Sequence, residues 1–255
     1  MKNLNSHPPS CIISKSADID SSVSMGPGCI IYGDGIQICS GARLDAGCVV
    51  GEGVTIGRNT WIRAGSVVLR SIPPNAVAEG NPAQVIGYQS IQRVKDNSLG
   101  VRLIDVHDME VSSRPSKRPL GVGKAEVYFI RSITDSRGSL AVGEVPSELP
   151  FLPNRFFIVH SVPSVELRGE HAHRACEQFL MCINGSCRIM IDDGISRCEV
   201  ILDRPDVGVY MPALTWGTQY RYSSDAALLV FASHAYDPED YIRTYEEFLD
   251  AVLAG

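Results

Sequence analysis

The sequence predicts an all-β chain: a short hexapeptide-repeat β-helix, then a jelly roll closed by one C-terminal helix. Three observations carry this. Apolar residues recur at every sixth position through the first third. Eight or nine short segments, aromatic or β-branched and bounded by Gly, Pro, Asn or Asp, fill the second half. The chain then ends on apolar residues at helical spacing.

The repeat comes first. Ile13, Ile19, Met25 and Ile31 are six apart, and so are Ile38, Leu44, Val50, Ile56, Ile62 and Val68. The two series differ by one residue, absorbed between Tyr32 and Gln37. Ala17, Val23, Cys29, Ala42, Cys48, Val54, Thr60 and Ser66 add a second column of small or β-branched residues. Glycine stands at 26, 51 and 57, where tight turns are expected. A period of six suits short strands joined by turns around a triangular coil, three sixes to a coil. Residues 13–68 therefore give about three coils.

The stretch WIRAGSVVLRSIPPNAVAEGNPAQVIGY (61–88) resembles the ending of the left-handed β-helix acyltransferase family. The resemblance covers roughly 10–88. It implies a trimer with acetyl-CoA lying along the coil between subunits. Such enzymes commonly use a histidine base on a middle coil, yet no histidine lies between His7 and His107. Asp45 is the remaining candidate base, and a solvated aspartate is a weak one, with a pKa of about 4. The expectation is a degenerate domain kept for assembly, with acyl transfer as the alternative. Domain boundaries are expected at 8–90 for the β-helix, 91–121 for a polar linker and 122–255 for the jelly roll.

Composition sets the outer limits. The 255 residues carry a net charge of −6 with no basic block, which argues against nucleic acid. The N-terminus lacks an apolar signal core and no apolar run approaches membrane-spanning length, so a cytoplasmic protein with no membrane partner is expected. The eight cysteines form no Cys-x-x-Cys pair and read as buried thiols rather than a zinc or disulfide framework.

In the second half, INGSC (183–187) and DDGIS (192–196) read as hairpin turns. Two packed sheets are expected. The end carries Tyr241, Tyr245, Phe248, Leu249 and Val252, and reads as one amphipathic helix.

The chemistry concentrates in RGEHAHRACE (168–177). His171 and His173 are two apart and share one face of a strand. Glu177 joins that face if the strand is unbroken. This is the first half of the cupin metal pattern. The stretch where a fourth ligand would fall, VGVYMPALTWGTQY (207–220), has Pro212 but no histidine, with Trp216 about where the ligand would stand. His160 and His234 have no such setting. The residues leave three readings: an open metal triad, a metal-free proton-transfer pair, or two histidines satisfied within a sheet. The cations Arg168 and Arg174 beside them fit an anion or enolate.

RGEHAHRACEQFLMCINGSCRIMIDDG (168–194), with TDSRGSL (134–140), TWGTQYRYSSDAALLVFAS (215–233) and YDPEDYIRTYEEFL (236–249), resembles the WxcM/FdtA-like nucleotide-sugar 3,4-ketoisomerases. These are RmlC-like cupins that work without a metal or other cofactor. The resemblance implies conversion of a dTDP-linked 4-keto-6-deoxyhexose to its 3-keto isomer, for deoxyamino-sugar and polysaccharide biosynthesis. It implies His171 and His173 as the proton-transfer groups. Arg168 would hold the diphosphate or enolate, and Arg137 would lie near the sugar nucleotide. Trp216 and Tyr220 would line the pocket, with Glu177 as a further pocket residue. Some members are fused to a hexapeptide-repeat N-acyltransferase, which matches the two halves. A homo-oligomer is implied, trimeric through the β-helix and dimeric through the jelly roll, hence a hexamer. One departure stands out: the strand Arg155-Phe156-Phe157-Ile158 lacks the tyrosine that members often carry there. The alternatives are an N-acyltransferase on a dTDP-3-amino-3,6-dideoxyhexose and a non-catalytic sugar-nucleotide-binding protein.

Overall fold

A computed structural model describes residues 8–89, 102–109, 111 and 113–254. The chain divides into two units, one formed by residues 8–89 and the other starting at Arg102.

The first unit is a β-solenoid of two-residue strands. One face stacks β1 (Ile12–Ile13), β4 (Ile30–Ile31), β7 (Val49–Val50) and β10 (Val67–Val68), all parallel. A second stacks β2 (Asp18–Ile19), β5 (Gln37–Ile38) and β8 (Thr55–Ile56). The third stacks β3 (Ser24–Met25), β6 (Arg43–Leu44) and β9 (Trp61–Ile62), and closes on the hairpin β11 (Ala76–Gly80) and β12 (Ala83–Tyr88). Of the residues of the six-period, Met25, Ile31, Ile38, Leu44, Val50, Ile56, Ile62 and Val68 are buried, and Ile13 and Ile19 in the first coil are half-buried. Ile12 pairs with Ile30 and Val49 with Val67, but Ile30 pairs with Val49, so the middle coil carries the one extra residue. The expected turn glycines need correcting. Gly47 and its counterparts in other coils hold the positive φ, whereas Gly26 and Gly57 are glycine because a neighbouring coil's backbone passes where a Cβ would stand.

The second unit packs two six-stranded sheets face to face. In the first sheet the order is β13 (Arg102–Asp105), β22 (Arg197–Leu202), β21 (Cys187–Asp192), β24 (Trp216–Tyr220), β19 (Arg168–His173) and β26 (Tyr241–Ile242). In the second it is β14 (Ser116–Pro119), β15 (Glu126–Phe129), β23 (Val207–Met211), β20 (Gln178–Asn184), β25 (Ala227–Ala232) and β18 (Arg155–His160). A separate hairpin pairs β16 (Arg131–Asp135) with β17 (Gly138–Val142). The inner faces meet in one core that includes Leu180, Cys182, Ile189, Ile191, Val200, Val209 and Leu228.

Three expectations differ from this. The stretch read as a linker contains β13 and β14, because each adds an edge strand to a sheet, against β22 and β15; residues 91–101 of that stretch lie outside the described residues. INGSC is no hairpin: β20 and β21 belong to different sheets, so it carries the chain across the core, whereas DDGIS does join the paired strands β21 and β22. The C-terminal helix α1 spans only Tyr245–Ala254. Tyr241 and Ile242 pair with His173 and Ala172 instead, and Thr244 starts the helix by accepting the Glu247 N–H on its hydroxyl.

Helix α1 is held to the first sheet by polar contacts as well as by burial of Tyr245 and Phe248. The Tyr245 hydroxyl donates to Asp192 at 2.7 Å, and Arg197 pairs with the same carboxylate at 2.7 Å; Asp192 is wholly buried. Removing one partner of a buried pair strands the other. Asp192→Ala is expected to destabilise the second unit by about 3–5 kcal/mol, read as a lower urea midpoint. A loss below about 1 kcal/mol would contradict this account of the helix anchor.

Candidate functional site

The histidine strand β19 is interrupted by a bulge. Arg168 lies opposite Gln219 and Gly169 opposite Thr218, but His171, not Glu170, comes opposite Gly217. Glu170 is the extra residue, and its φ of 55° places it in the left-handed region. In a regular strand, residues three apart point to opposite faces. Here the insertion brings Arg168 onto the face of His171 and His173, opposite Gln219 and Gly217. Burial raises the Glu170 pKa.

Between the sheets this face opens into a cleft of about 270 Å3. It is lined by Phe157, Ile158, Val159 and His160 of β18, Arg168, Gly169 and His171 of β19, and Gln178, Leu180, Gln219 and Val230. Behind it lies a cavity of about 10 Å3, room for one water molecule, lined by His171, His173, Cys176, Gln178, Met211, Pro212, Thr215, Gly217 and Gln219. His171, Gln178 and Gln219 line both spaces; His173 lines the inner one alone.

The two imidazoles stand edge to face, 5.0 Å between centroids. His171 Nδ1 lies 2.9 Å from the Gly169 carbonyl, an acceptor, so that nitrogen carries the hydrogen and Nε2 is left as a lone pair. His173 Nδ1 lies 2.8 Å from the Asp240 carboxylate, which fixes the same tautomer. The Ala175 and Cys176 N–H groups also donate to Asp240, at 2.7 and 3.3 Å. Tyr241 packs on both rings, with centroids 4.9 and 4.4 Å away.

Burial pushes the His171 pKa down; the Gly169 hydrogen bond opposes this and the Arg243 charge adds to it. Burial also pushes His173 down, and the Asp240 hydrogen bond offsets only part of that. Burial works against ionisation of Asp240 too, but the Ala175 N–H and His173 hold its carboxyl below the usual range. Both histidines are therefore biased toward the neutral, proton-accepting form.

Five residues expected at the site stand elsewhere, among them Arg174, which is exposed and pairs with Glu247 of helix α1. Trp216 and Tyr220 point to the outer face of the first sheet, because Gly217 and Gln219 take the inner one. Trp216 packs on Tyr245 and Phe248, and the Tyr220 hydroxyl donates to Glu199. Glu177 does not share the histidine face. Strand β19 ends at His173, and on the next strand Glu177 follows the outward parity of Phe179 and Met181 and accepts the Tyr210 hydroxyl. Arg137 sits at the tip of the β16–β17 hairpin, 88% exposed and paired with Asp135 at 2.6 Å. Sequence reasoning missed Gln178, Gln219 and Asp240, and set His160 aside although it lines the cleft. Strand parity within EQFL and WGTQY was the available signal for the two glutamines.

His173, Cys176 and Asp240 offer ligand atoms within 4.8 Å of one another. The Asp240 oxygens, however, already accept the two backbone N–H groups and the His173 hydrogen. In the first unit, Asp45 accepts Arg43 Nε at 2.8 Å and Trp61 Nε1 at 2.9 Å, one on each oxygen. Its carboxylate is thus tied to two donors.

Known proteins match both units. The family model described as FdtA, WxcM-like, C-terminal, matches residues 124–253. The TDP-4-oxo-6-deoxy-alpha-D-glucose-3,4-oxoisomerase of Aneurinibacillus thermoaerophilus is 42% identical over 123 residues, covering 48% of this chain and 88% of that protein. A mutant of the 3,4-ketoisomerase QdtA from Thermoanaerobacterium thermosaccharolyticum, solved with TDP-4-keto-6-deoxyglucose, is 29% identical, covers 52% of this chain and 96% of its own, and superposes with a TM-score of 0.51. The N-terminal region matches hexapeptide acetyltransferases, among them galactoside O-acetyltransferase of Escherichia coli, 45% identical over 56 residues. That match covers 22% of this chain and 28% of that protein. No helix among the described residues is long and apolar enough to cross a membrane.

The lowered imidazole pKa values have a direct readout. NMR titration is expected to place the midpoints of His171 and His173 below 6.5. In Asp240→Asn the His173 midpoint should fall further, because the carboxylate that favours the charged ring is gone. A midpoint above 6.5 for either histidine in the unmodified chain would contradict the burial argument.

Proposed function

The chain belongs to the FdtA family of WxcM-like C-terminal domains, and on that premise we propose that its second unit is a 3,4-ketoisomerase of a dTDP-linked 4-keto-6-deoxyhexose. The observation that carries the reading is the cleft in which a lone-pair imidazole nitrogen, His171 Nε2, stands beside Arg168.

The chemistry needs two proton movements and no net loss of electrons. His171 Nε2 takes the C3 proton, and the C3–H electrons form the C3–C4 double bond while the 4-oxygen becomes an enolate. That oxygen gains a proton to give the enediol. The 3-hydroxyl then loses its proton, the carbonyl forms at C3, and C4 receives a proton. Arg168 in the cleft offers a fixed cation to the enolate or the diphosphate. His173, with Asp240 behind it, is the second group able to carry a proton. Phe157 lines the cleft where the resemblance would place a phenol, so acid catalysis rests on the imidazoles, with Tyr241 the phenol packed on both.

For the first unit we favour an assembly role over acyl transfer. No histidine lies between His7 and His107, and Asp45, the carboxylate considered as a base, is engaged by two donors. The homo-oligomer keeps its proposed form, trimeric through the solenoid and dimeric through the jelly roll. The exposed pair Ile133 and Leu140, which face each other across the β16–β17 hairpin, supports a protein contact there.

Incubation with dTDP-4-keto-6-deoxyglucose in deuterated water, followed by NMR, is expected to show the 3-keto isomer with deuterium at C4. His171→Asn and His173→Asn should each lower kcat by at least about a hundredfold. Full activity in both variants would place the chemistry elsewhere. Acetyl-CoA is expected to be neither bound nor turned over with an amino sugar; turnover would make the chain bifunctional and overturn the assembly role.

A further inference from the structure

Three of the four ring nitrogens of the histidine pair are held by the protein. Gly169 O takes His171 Nδ1 and Asp240 takes His173 Nδ1, while the third partner is an amide. Gln178 Nε2 lies 3.1 Å from His173 Nε2. Among the described residues, no hydrogen bond holds His171 Nε2.

Gln178 is well fixed at its root. It lies in β20, a central strand, opposite Met211 on one side and Ala232 on the other. Its side chain is buried, on the inner face with Leu180, and lines both the cleft and the small cavity behind it. Asp240 accepts only, and two backbone N–H groups pin it, so the hydrogen of neutral His173 stays on Nδ1 and Nε2 is an acceptor. A Gln178 N–H2 group donates to that acceptor. Once His173 gains a second proton, Nε2–H needs an acceptor in the same place. A half-turn of the amide about its last bond supplies one, because Oε1 then takes the position of Nε2.

We propose that Gln178 is a positioning residue for His173: a rotatable amide that matches either protonation state of the ring and so lets it gain and lose a proton inside the barrel. The assignment rests on the isomerase reading only for the use made of that proton. The other groups facing the ring are Asp240 from the turn after β25, His171 on its own strand, Arg155 from β18, Tyr241 from β26 and the Cys176 thiol beyond β19. Arg155 and charged His171 disfavour a charged His173, and Asp240 favours it. Among these side chains it is Gln178 that is hydrogen-bonded to Nε2, and its amide can serve both states.

Two variants test this. Gln178→Glu puts a carboxylate beside Nε2 and should raise the His173 midpoint by about one unit or more, the effect of an opposite charge within hydrogen-bond reach. The acid limb of kcat should move to higher pH with it. Gln178→Met keeps the volume but serves neither state; kcat should fall about tenfold, the worth of one hydrogen bond, with KM little changed. Nitrogen-15 NMR of the His173 ring reads the midpoint and tautomer with no substrate present, so the outcome stands even if the sugar nucleotide is not turned over. If Gln178→Met folds normally and keeps both its kcat and the His173 midpoint, the proposal is overturned. A midpoint in Gln178→Glu equal to that of the unmodified chain overturns it as well.

Discussion

One inserted residue decides which side chains can meet in this cleft. Glu170 breaks the register of β19 against β24, so that Arg168 and the two histidines, an odd number of residues apart, come to share the inner face. Glu170 takes up a left-handed backbone conformation there, uncommon for a residue other than glycine. The same irregularity turns the Gly169 carbonyl back to His171 Nδ1, and that single hydrogen bond decides which nitrogen of His171 is free. Cation, base and tautomer therefore follow from one local break in a ladder that is otherwise regular.

The second imidazole depends on the far end of the chain. Asp240 reaches His173 because the segment after it, β26, pairs beside β19, and because helix α1 closes over the outer face of the same sheet. The buried contacts of Tyr245 and Arg197 with Asp192 fix that helix. Burial then acts on both histidines in the same direction, favouring the neutral form of each despite the carboxylate behind one of them. The arrangement joins a polar network to an apolar barrel: Asp240 and Gln178 reach the His173 ring from outside its own strand, and the Gly169 carbonyl holds His171 from within it.

How much of this was legible in the sequence depends on the kind of information each feature needs. The solenoid was readable because each short strand must point an apolar residue inward, so the period of six resumes from Ile38 to Val68 after the extra residue near Gly33. The histidine pair was readable because residues two apart share a strand face. Trp216, Tyr220 and Glu177 were misplaced because their faces depend on where strands begin and on which parity points inward; a shift of one residue sends a side chain to the opposite side of the sheet. Asp240 carried no local signal at all, since its partner is 67 positions away. Arg137 was placed by resemblance, and within one chain it sits on an exposed hairpin tip. The edge strands were not placed within the presumed linker, where only a short helix or extended segment was allowed for, because SKRP and RLID are four residues long and lack a clean polar–apolar alternation.

The solenoid core keeps the spacing of the acetyltransferases it resembles, while the one carboxylate considered as a base is occupied by Arg43 and Trp61. The central claim concerns the other unit, that His171 Nε2 faces the reacting carbon and Arg168 the charged end of the sugar nucleotide. A crystal structure of the chain with a dTDP-linked 6-deoxyhexose tests it most directly. The account predicts the sugar in the cleft with C3 within about 3–3.5 Å of His171 Nε2 and an oxygen of the ligand on Arg168. A sugar bound with its C3–C4 edge away from the histidine pair, or outside this cleft, would contradict it.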